Sequence, residues 1–165
     1  CLELINASAL DFIIGSCHIV DNMDPYYTDF WKNRQDRDAF ELYFKTLLEG
    51  LLEFSQIDTL GHLDYVVRYS PNRDSNYSPR DYQDVIDEIL KFIIEKNIKL
   101  EINTSNLSKG FDFFNPHTDI IKRYKELGGK YVTLGSDAHK AEYIGYGFDK
   151  AYEIANYFDL KIFTL

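Results

Sequence analysis

The chain has little cysteine, little basic charge and no long apolar stretch, and each shortage excludes a class of protein. Cys1 and Cys17 are its only cysteines in 165 residues, too few for a disulfide framework and not spaced like a thiolate metal site. No run of about 18 apolar residues marks a transmembrane helix, and no short apolar leader marks a secretory signal. Together these lead us to expect a soluble protein of a reducing compartment, by default the cytoplasm. The 18 Lys and Arg are outnumbered by 27 Asp and Glu, for a net charge of −9. With no basic block, neither nucleic acid nor an anionic membrane is expected as a partner. Internal repeats and low-complexity tracts are absent. So is an initiator Met: Cys1-Leu2-Glu3-Leu4-Ile5 reads as the last turns of a helix already under way, and the expectation is a piece of a longer polypeptide.

What is present is a single-domain length with 45% apolar and 16% aromatic residues, enough for a real core. Five apolar runs have strand length: Asp11–Ser16, Asp58–Gly61, Ile98–Ile102, Lys130–Leu134 and Leu160–Phe163. They are nearly continuous rather than alternating, which suits parallel strands covered on both faces. Between them lie helical patterns. Ala39–Phe54 carries an apolar stripe through Phe40, Tyr43, Phe44, Leu47, Leu48, Leu51 and Leu52. Ser78-Pro79 predicts a helix start with a capping hydroxyl and proline in the first turn, and the helix runs to Asn97. A third pattern runs from Pro116 to Leu127 before Gly128-Gly129, and a last covers Asp149–Phe158. Strands alternating with helices give βαβ units and a parallel sheet. Ile19–Asp38 and Tyr69–Tyr77 resist both periods and follow strand ends, where such folds place active sites.

Three of the four histidines fall at strand C-termini. His18 follows the first strand, His62 the second, and Asp137 and His139 the fourth, while Glu101 and Asn103 finish the third. All strand C-termini of a parallel β/α barrel open onto one face, so these residues converge there. Imidazole and carboxylate hold Zn, Mn or Fe. Asp137 and His139 are two residues apart, and in an extended segment they point the same way. A metal cluster of this type binds a phosphate ester and activates a water against phosphorus. Each residue has a plainer reading: a hydrogen-bonded structural His, Asp64 as a cap or a group orienting the ligands, Glu101 as a satisfied buried carboxylate. Cys17 reads as a small packed residue and His117 as a helix-start surface residue.

The segments Asp11-Phe12-Ile13-Ile14-Gly15-Ser16-Cys17-His18, Gly61-His62-Leu63-Asp64, Leu100-Glu101-Ile102-Asn103-Thr104-Ser105 and Leu134-Gly135-Ser136-Asp137-Ala138-His139 resemble, in order and spacing, the PHP (polymerase and histidinol phosphatase) superfamily, and within it the histidinol-phosphatase branch. The resemblance covers essentially the whole chain. It implies an α/β fold, the C-terminal portion of a distorted (β/α)7 TIM-like barrel with parallel strands, with residues 1–165 forming one PHP-type domain incomplete at its N-terminus. It implies up to three divalent metals, Zn, Mn or Fe, with His18, His62, Asp137 and His139 as ligands and Asp137 and His139 also in catalysis. Asp64, Glu101 and Asn103 would stand behind the ligands. The implied reaction is hydrolysis of a small phosphate monoester, histidinol phosphate, in histidine biosynthesis. Arg68, by its spacing after Gly-His-Leu-Asp, matches a phosphate-contacting arginine of that branch; its plainer reading is a surface ion pair.

Two departures from the family pattern stand out. Its opening His-x-His motif and an early metal-binding Glu are not in this sequence, and Glu3 is a poor substitute, so the chain alone should hold about half of a centre and be inactive. The family's Asn-Thr-Ser-Gly-x-Arg-Lys reads Asn103-Thr104-Ser105-Asn106-Leu107-Ser108-Lys109, with Ser108 where an arginine would bind phosphate; Lys109 or Arg73 would have to compensate as a point charge. Two other functions compete: a PHP phosphodiesterase or exonuclease, against which the acidic balance counts, and a non-catalytic barrel fragment. A half-barrel would expose strand edges and apolar helix faces, which invite a homo-oligomer.

Overall fold

A computed structural model describes residues 8–164; the helical reading of residues 1–5, Glu3 included, lies outside them. The framework is a five-stranded parallel sheet in sequential order. Its strands are β1 (Ile14–Gly15), β2 (Thr59–Leu60), β3 (Lys99–Asn103), β4 (Tyr131–Gly135) and β5 (Lys161–Ile162). Each lies within or overlaps one of the five apolar runs. The first run contracts because the Ile13 N–H donates to the Asp58 side chain at 2.8 Å rather than continuing a ladder.

The helices are α1 (Thr28–Trp31), α2 (Asp36–Glu53), α3 (Gln83–Glu95), α4 (Ser105–Ser108), α5 (Thr118–Glu126) and α6 (Phe148–Tyr157). In α2 the stripe buries Ala39, Phe40, Tyr43, Phe44, Leu47 and Leu51, while Leu52 ends up exposed. In α3 it buries Ile86, Ile89, Leu90 and Ile93. These meet Leu60, Leu100, Ile102 and Val132 of the strands in one core. The expected hydroxyl cap at Ser78 is corrected. The Ser78 side chain makes no cap bond, because Asp81 N–H goes to the Ser78 carbonyl at 3.0 Å, forming a 3-10 turn over Pro79–Tyr82, and the helix proper begins at Gln83. At α5 the cap is His117, whose Nδ1 accepts the Asp119 N–H at 3.1 Å.

The sheet is strongly curled. Strands two apart in a flat sheet lie about 9–10 Å from each other, yet Thr59 of β2 and Thr133 of β4 touch through their hydroxyls at 2.8 Å across β3. Phe12 before β1 and Phe163 after β5 stack at 6.1 Å, so residues flanking the two edge strands meet inside the curl. The C-terminal ends of the strands therefore gather toward one mouth. The loop that leads into α1 borders it. A second loop, after the turn that follows β2, is pinned by buried Asp36, whose Oδ2 accepts from Asn72 and Asn76, each at 2.9 Å. The edge at β1 is apolar and open, with Leu10, Ile14, Ile19 and Leu52 exposed.

Candidate functional site

At the mouth lies a cleft of about 590 Å³ whose lining includes His18, Arg68, Ser108, Lys109, Asp137 and His139. His62 is buried just beneath. Its backbone takes φ 23°, and Asp137 takes φ 46°; such positive values in non-glycine residues cost energy and gather at functional sites. The expectation that Asp137 and His139 align through an extended segment is thereby corrected. The left-handed turn at Asp137 brings them together instead, with Asp137 Oδ1 3.5 Å from His139 Nε2. At β1 and β2, His18 Nε2 and His62 Nε2 face each other at 3.1 Å. The predicted quartet thus forms two pairs. Among the described residues no three His, Cys, Asp or Glu side chains converge as a single metal site.

Each pair has the spacing of two ligands on one cation. A tetrahedral metal holding two imidazoles at about 2.0–2.1 Å sets their nitrogens about 3.3 Å apart. Two facing imidazole nitrogens share at most one hydrogen, and a buried His62 Nδ1 has no hydrogen-bond partner among the described residues. Burial first, then the charges of His18 and Arg68, push the His62 pKa down to about 4, leaving the neutral imidazole that metal ligation requires. Burial opposes ionisation of Asp137, but the hydrogen bond and charge of Arg68 outweigh it and hold the carboxyl below its ordinary range. The donor set fits a divalent metal of the zinc class.

Arg68, on a 3-10 turn over Tyr65–Tyr69, is no surface ion pair: its side chain is 2% exposed. Its Nε donates to Asn106 Oδ1 at 2.9 Å, Nη1 to Asp137 Oδ2 at 3.1 Å, and Nη2 to Asn115 Oδ1 at 2.7 Å, Asn103 Oδ1 at 3.4 Å and Ser105 Oγ. One Nη1 hydrogen remains to serve the cleft. Asn103 accordingly stands behind Arg68. Glu101 stands behind His62: its Oε2 accepts the His62 N–H at 2.8 Å and the Asn103 amide at 3.1 Å. Burial raises its pKa. A Cβ at Gly135 would overlap the Glu101 carboxylate, so glycine there keeps the space.

Asp64 is fully buried one step further back, accepting from Asn115 Nδ2 at 2.6 Å, His117 N–H at 2.8 Å and Tyr77 OH at 3.2 Å. Burial raises its pKa too. It caps no helix through its side chain; it ties three loops together and orients Asn115, which holds Arg68. Lys109 reaches the cleft, its pKa lowered to about 8 by burial and by Arg68. Arg73 does not line the cleft; it bonds the Lys109 carbonyl and lies over the Phe111 ring. Burial pushes the Cys17 thiol up to about 11, as befits a packed residue.

Several cleft neighbours escaped the sequence reading. Asn106 stands in the family motif only in the place of its glycine, and Asn115 carries no motif; the role of both is found through Arg68. Asp24, Tyr26, Tyr65 and Tyr69 also line the cleft. The Tyr65 ring packs against both His18 and His62, at 4.8 and 4.9 Å between centroids. Its position three residues after His62, in a turn, was the available signal.

The parallel βα sheet carries imidazoles and a carboxylate at its strand C-termini, and the chain belongs to the PHP domain family, whose profile matches residues 2–105. It is 40% identical over 151 residues to a probable histidinol-phosphatase of Clostridium acetobutylicum, spanning 92% of this chain and 59% of that protein. It is 35% identical to a probable histidinol-phosphatase of Thermotoga maritima, over 90% of this chain and 56% of that one. The crystal structure of histidinol phosphate phosphatase from Lactococcus lactis, complexed with zinc, L-histidinol and phosphate, superposes with a TM-score of 0.83 at 27% identity, covering 98% of this chain and 61% of that one. The chain thus spans little more than half the length of these relatives. Among the described residues, no helix is long and apolar enough to cross a membrane.

Proposed function

We propose that this chain supplies part of a divalent-metal phosphomonoesterase that hydrolyses histidinol phosphate to histidinol and phosphate, in histidine biosynthesis in the cytoplasm. The observation that carries the reading is the arrangement at the mouth. Two ligand-spaced pairs, His18 with His62 and Asp137 with His139, lie with a buried arginine that lines the same cleft and has one guanidinium hydrogen unused. The named relatives and the ligands of the Lactococcus lactis structure support the substrate. The curled sheet supports a (β/α)7 barrel, with residues 1–165 belonging to a single PHP-type domain.

When bound, the metals, zinc by the Lactococcus parallel, supply Lewis acidity at the phosphoryl group and a water nucleophile at neutral pH. His18, His62, Asp137 and His139 would hold them. The protein's own part is binding and orientation. Arg68 is locked by five neighbours, so its open N–H would meet a phosphoryl oxygen without reorganisation. Lys109 adds a compact positive charge where Ser108 brings none. The low His62 pKa keeps that ring neutral through the physiological range. A buried network built to hold one arginine and two ligand pairs speaks against a non-catalytic remnant, and the acidic chain speaks against a nucleic-acid substrate.

The test uses the complete polypeptide that contains this chain, with added zinc or manganese. It should release phosphate from histidinol phosphate far faster than from p-nitrophenyl phosphate, and His139→Ala should lose more than about a hundredfold in kcat/KM. Equal rates on both esters would remove the specific substrate, and full activity in the variant would remove the metal role of His139.

A further inference from the structure

Helix α6 buries Ala151 and Ala155 against the core and leaves its outer face without a partner among the described residues. That face carries the stripe Tyr146, Lys150, Glu153 and Tyr157, spaced as neighbours on one side of a helix are. Tyr157 is 80% exposed and Tyr146 46%. Gly147 takes φ 73° at the helix start, and a Cβ there would come 2.8 Å from Leu107, so glycine lets the turn that carries Tyr146 close onto α4. The stripe lines a groove of about 920 Å³ together with Leu107, Phe111 and Phe114, and none of these residues lines the mouth cleft. Lys150 and Glu153 are exposed, and neither has an ion-pair partner among the described residues.

We propose that this face docks on the same face of a second copy, α6 antiparallel to α6, as a two-fold dimer. In such a contact each residue meets its counterpart's mate, and the pair occurs twice. A two-fold axis crossing between residues 151 and 152 sets Lys150 opposite the partner's Glu153 and Tyr146 opposite the partner's Tyr157. An axis at 150 would oppose lysine to lysine, and one at 153 glutamate to glutamate, so the charges select a single register. Tyrosine suits such a surface, because its ring buries while its hydroxyl stays hydrogen-bonded. Four tyrosines, at about 150–250 Å² each, bring the contact to the order of 1,000 Å², the low end for a specific interface. A micromolar dissociation constant follows. Asp112 and Asp149 add negative charge to the groove of both copies, and salt near 0.15 M, with a Debye length of about 8 Å, screens that repulsion more than it weakens a direct pair.

The test is sedimentation equilibrium of the complete polypeptide that contains this chain, at about 0.15 M salt and across micromolar concentrations. Wild type should pass from monomer to dimer within that range. Glu153→Lys sets lysine against lysine in both halves of the contact and should weaken the dimer by about tenfold or more, as should Lys150→Glu. Combining the two restores the pair with its charges exchanged, and affinity should return to within about threefold of wild type. Tyr157→Ala should weaken the dimer by about tenfold, as loss of a buried aromatic anchor does. Unchanged thermal midpoints report that each variant is folded. If a charge variant fails to fold, Tyr157→Ala carries the test, and wild-type association in it overturns the pairing. A wild-type monomer at every concentration overturns the proposal, as it would if the remaining polypeptide covered α6. So does a dimer that Glu153→Lys leaves intact, which would use another face such as the open β1 edge, and so does a folded double variant that stays monomeric.

Discussion

Arg68 shows how much of this site is built by single side chains far apart in sequence. Its guanidinium is buried, and its acceptors come from β3, from α4 and from the loops beyond them. Lysine keeps the charge but not the planar fork, so Arg68→Lys leaves Asn106 Oδ1 and Asn115 Oδ1 without their donor. The expected cost is about 2–4 kcal/mol, read by urea unfolding, because each buried acceptor left unmade costs about 1–3 kcal/mol. Unchanged stability would mean that the network does not hold the arginine. The sequence suggested Arg68 by its spacing from His62, but not its burial. An arginine eight residues after β2 reads as a surface ion pair until its partners are known, and three of those partners are asparagines with no periodic signal. Asp137 illustrates the opposite error. Its residue type was readable, but its left-handed backbone was not, since only the path of the loop after β4 sets that conformation.

At the level of elements, the strands and the longer helices were legible because their apolar periods are strong and their crossings short. The start of α3 was misread by a few residues, because a main-chain turn competes with a hydroxyl cap at Ser78. The packing of α5 on α3 adds an interaction that periodicity does not reveal: Arg123 grips Asp87 with two bonds, of 2.8 and 2.6 Å. These bonds hold the Asp87 carboxyl below its ordinary range. The native state therefore binds this proton less readily than the unfolded chain. The pair's contribution should be complete above the unfolded aspartate value of about 3.9 and lost as pH falls through the lower folded value. Wild type should exceed Asp87→Asn in thermal midpoint at pH 6, and the gap should narrow by pH 3. A gap that stays constant or widens on acidification would contradict the assignment.

For the whole molecule, the curl of the sheet matters more than any one residue. It turns five short strands toward one mouth and so brings His18, His62, Asp137 and His139 into neighbouring pairs, as their positions at strand ends suggested. The same curl sets Asp24, on the loop after β1, against the Tyr65 hydroxyl in the turn after β2, a contact 41 residues apart that no local pattern could show. The central claim is that these two ligand pairs are the chain's share of a catalytic metal centre. The most direct measurement is phosphate release from histidinol phosphate by the complete polypeptide before chelation, after removal of metal, and after zinc or manganese is restored, with bound metal counted at each stage. We predict that activity disappears with the metal, returns with it, and fails to return in His62→Ala, whose metal content should stay below that of wild type. A stripped protein that keeps its rate, or a His62→Ala variant that regains full metal and full activity, would contradict the account.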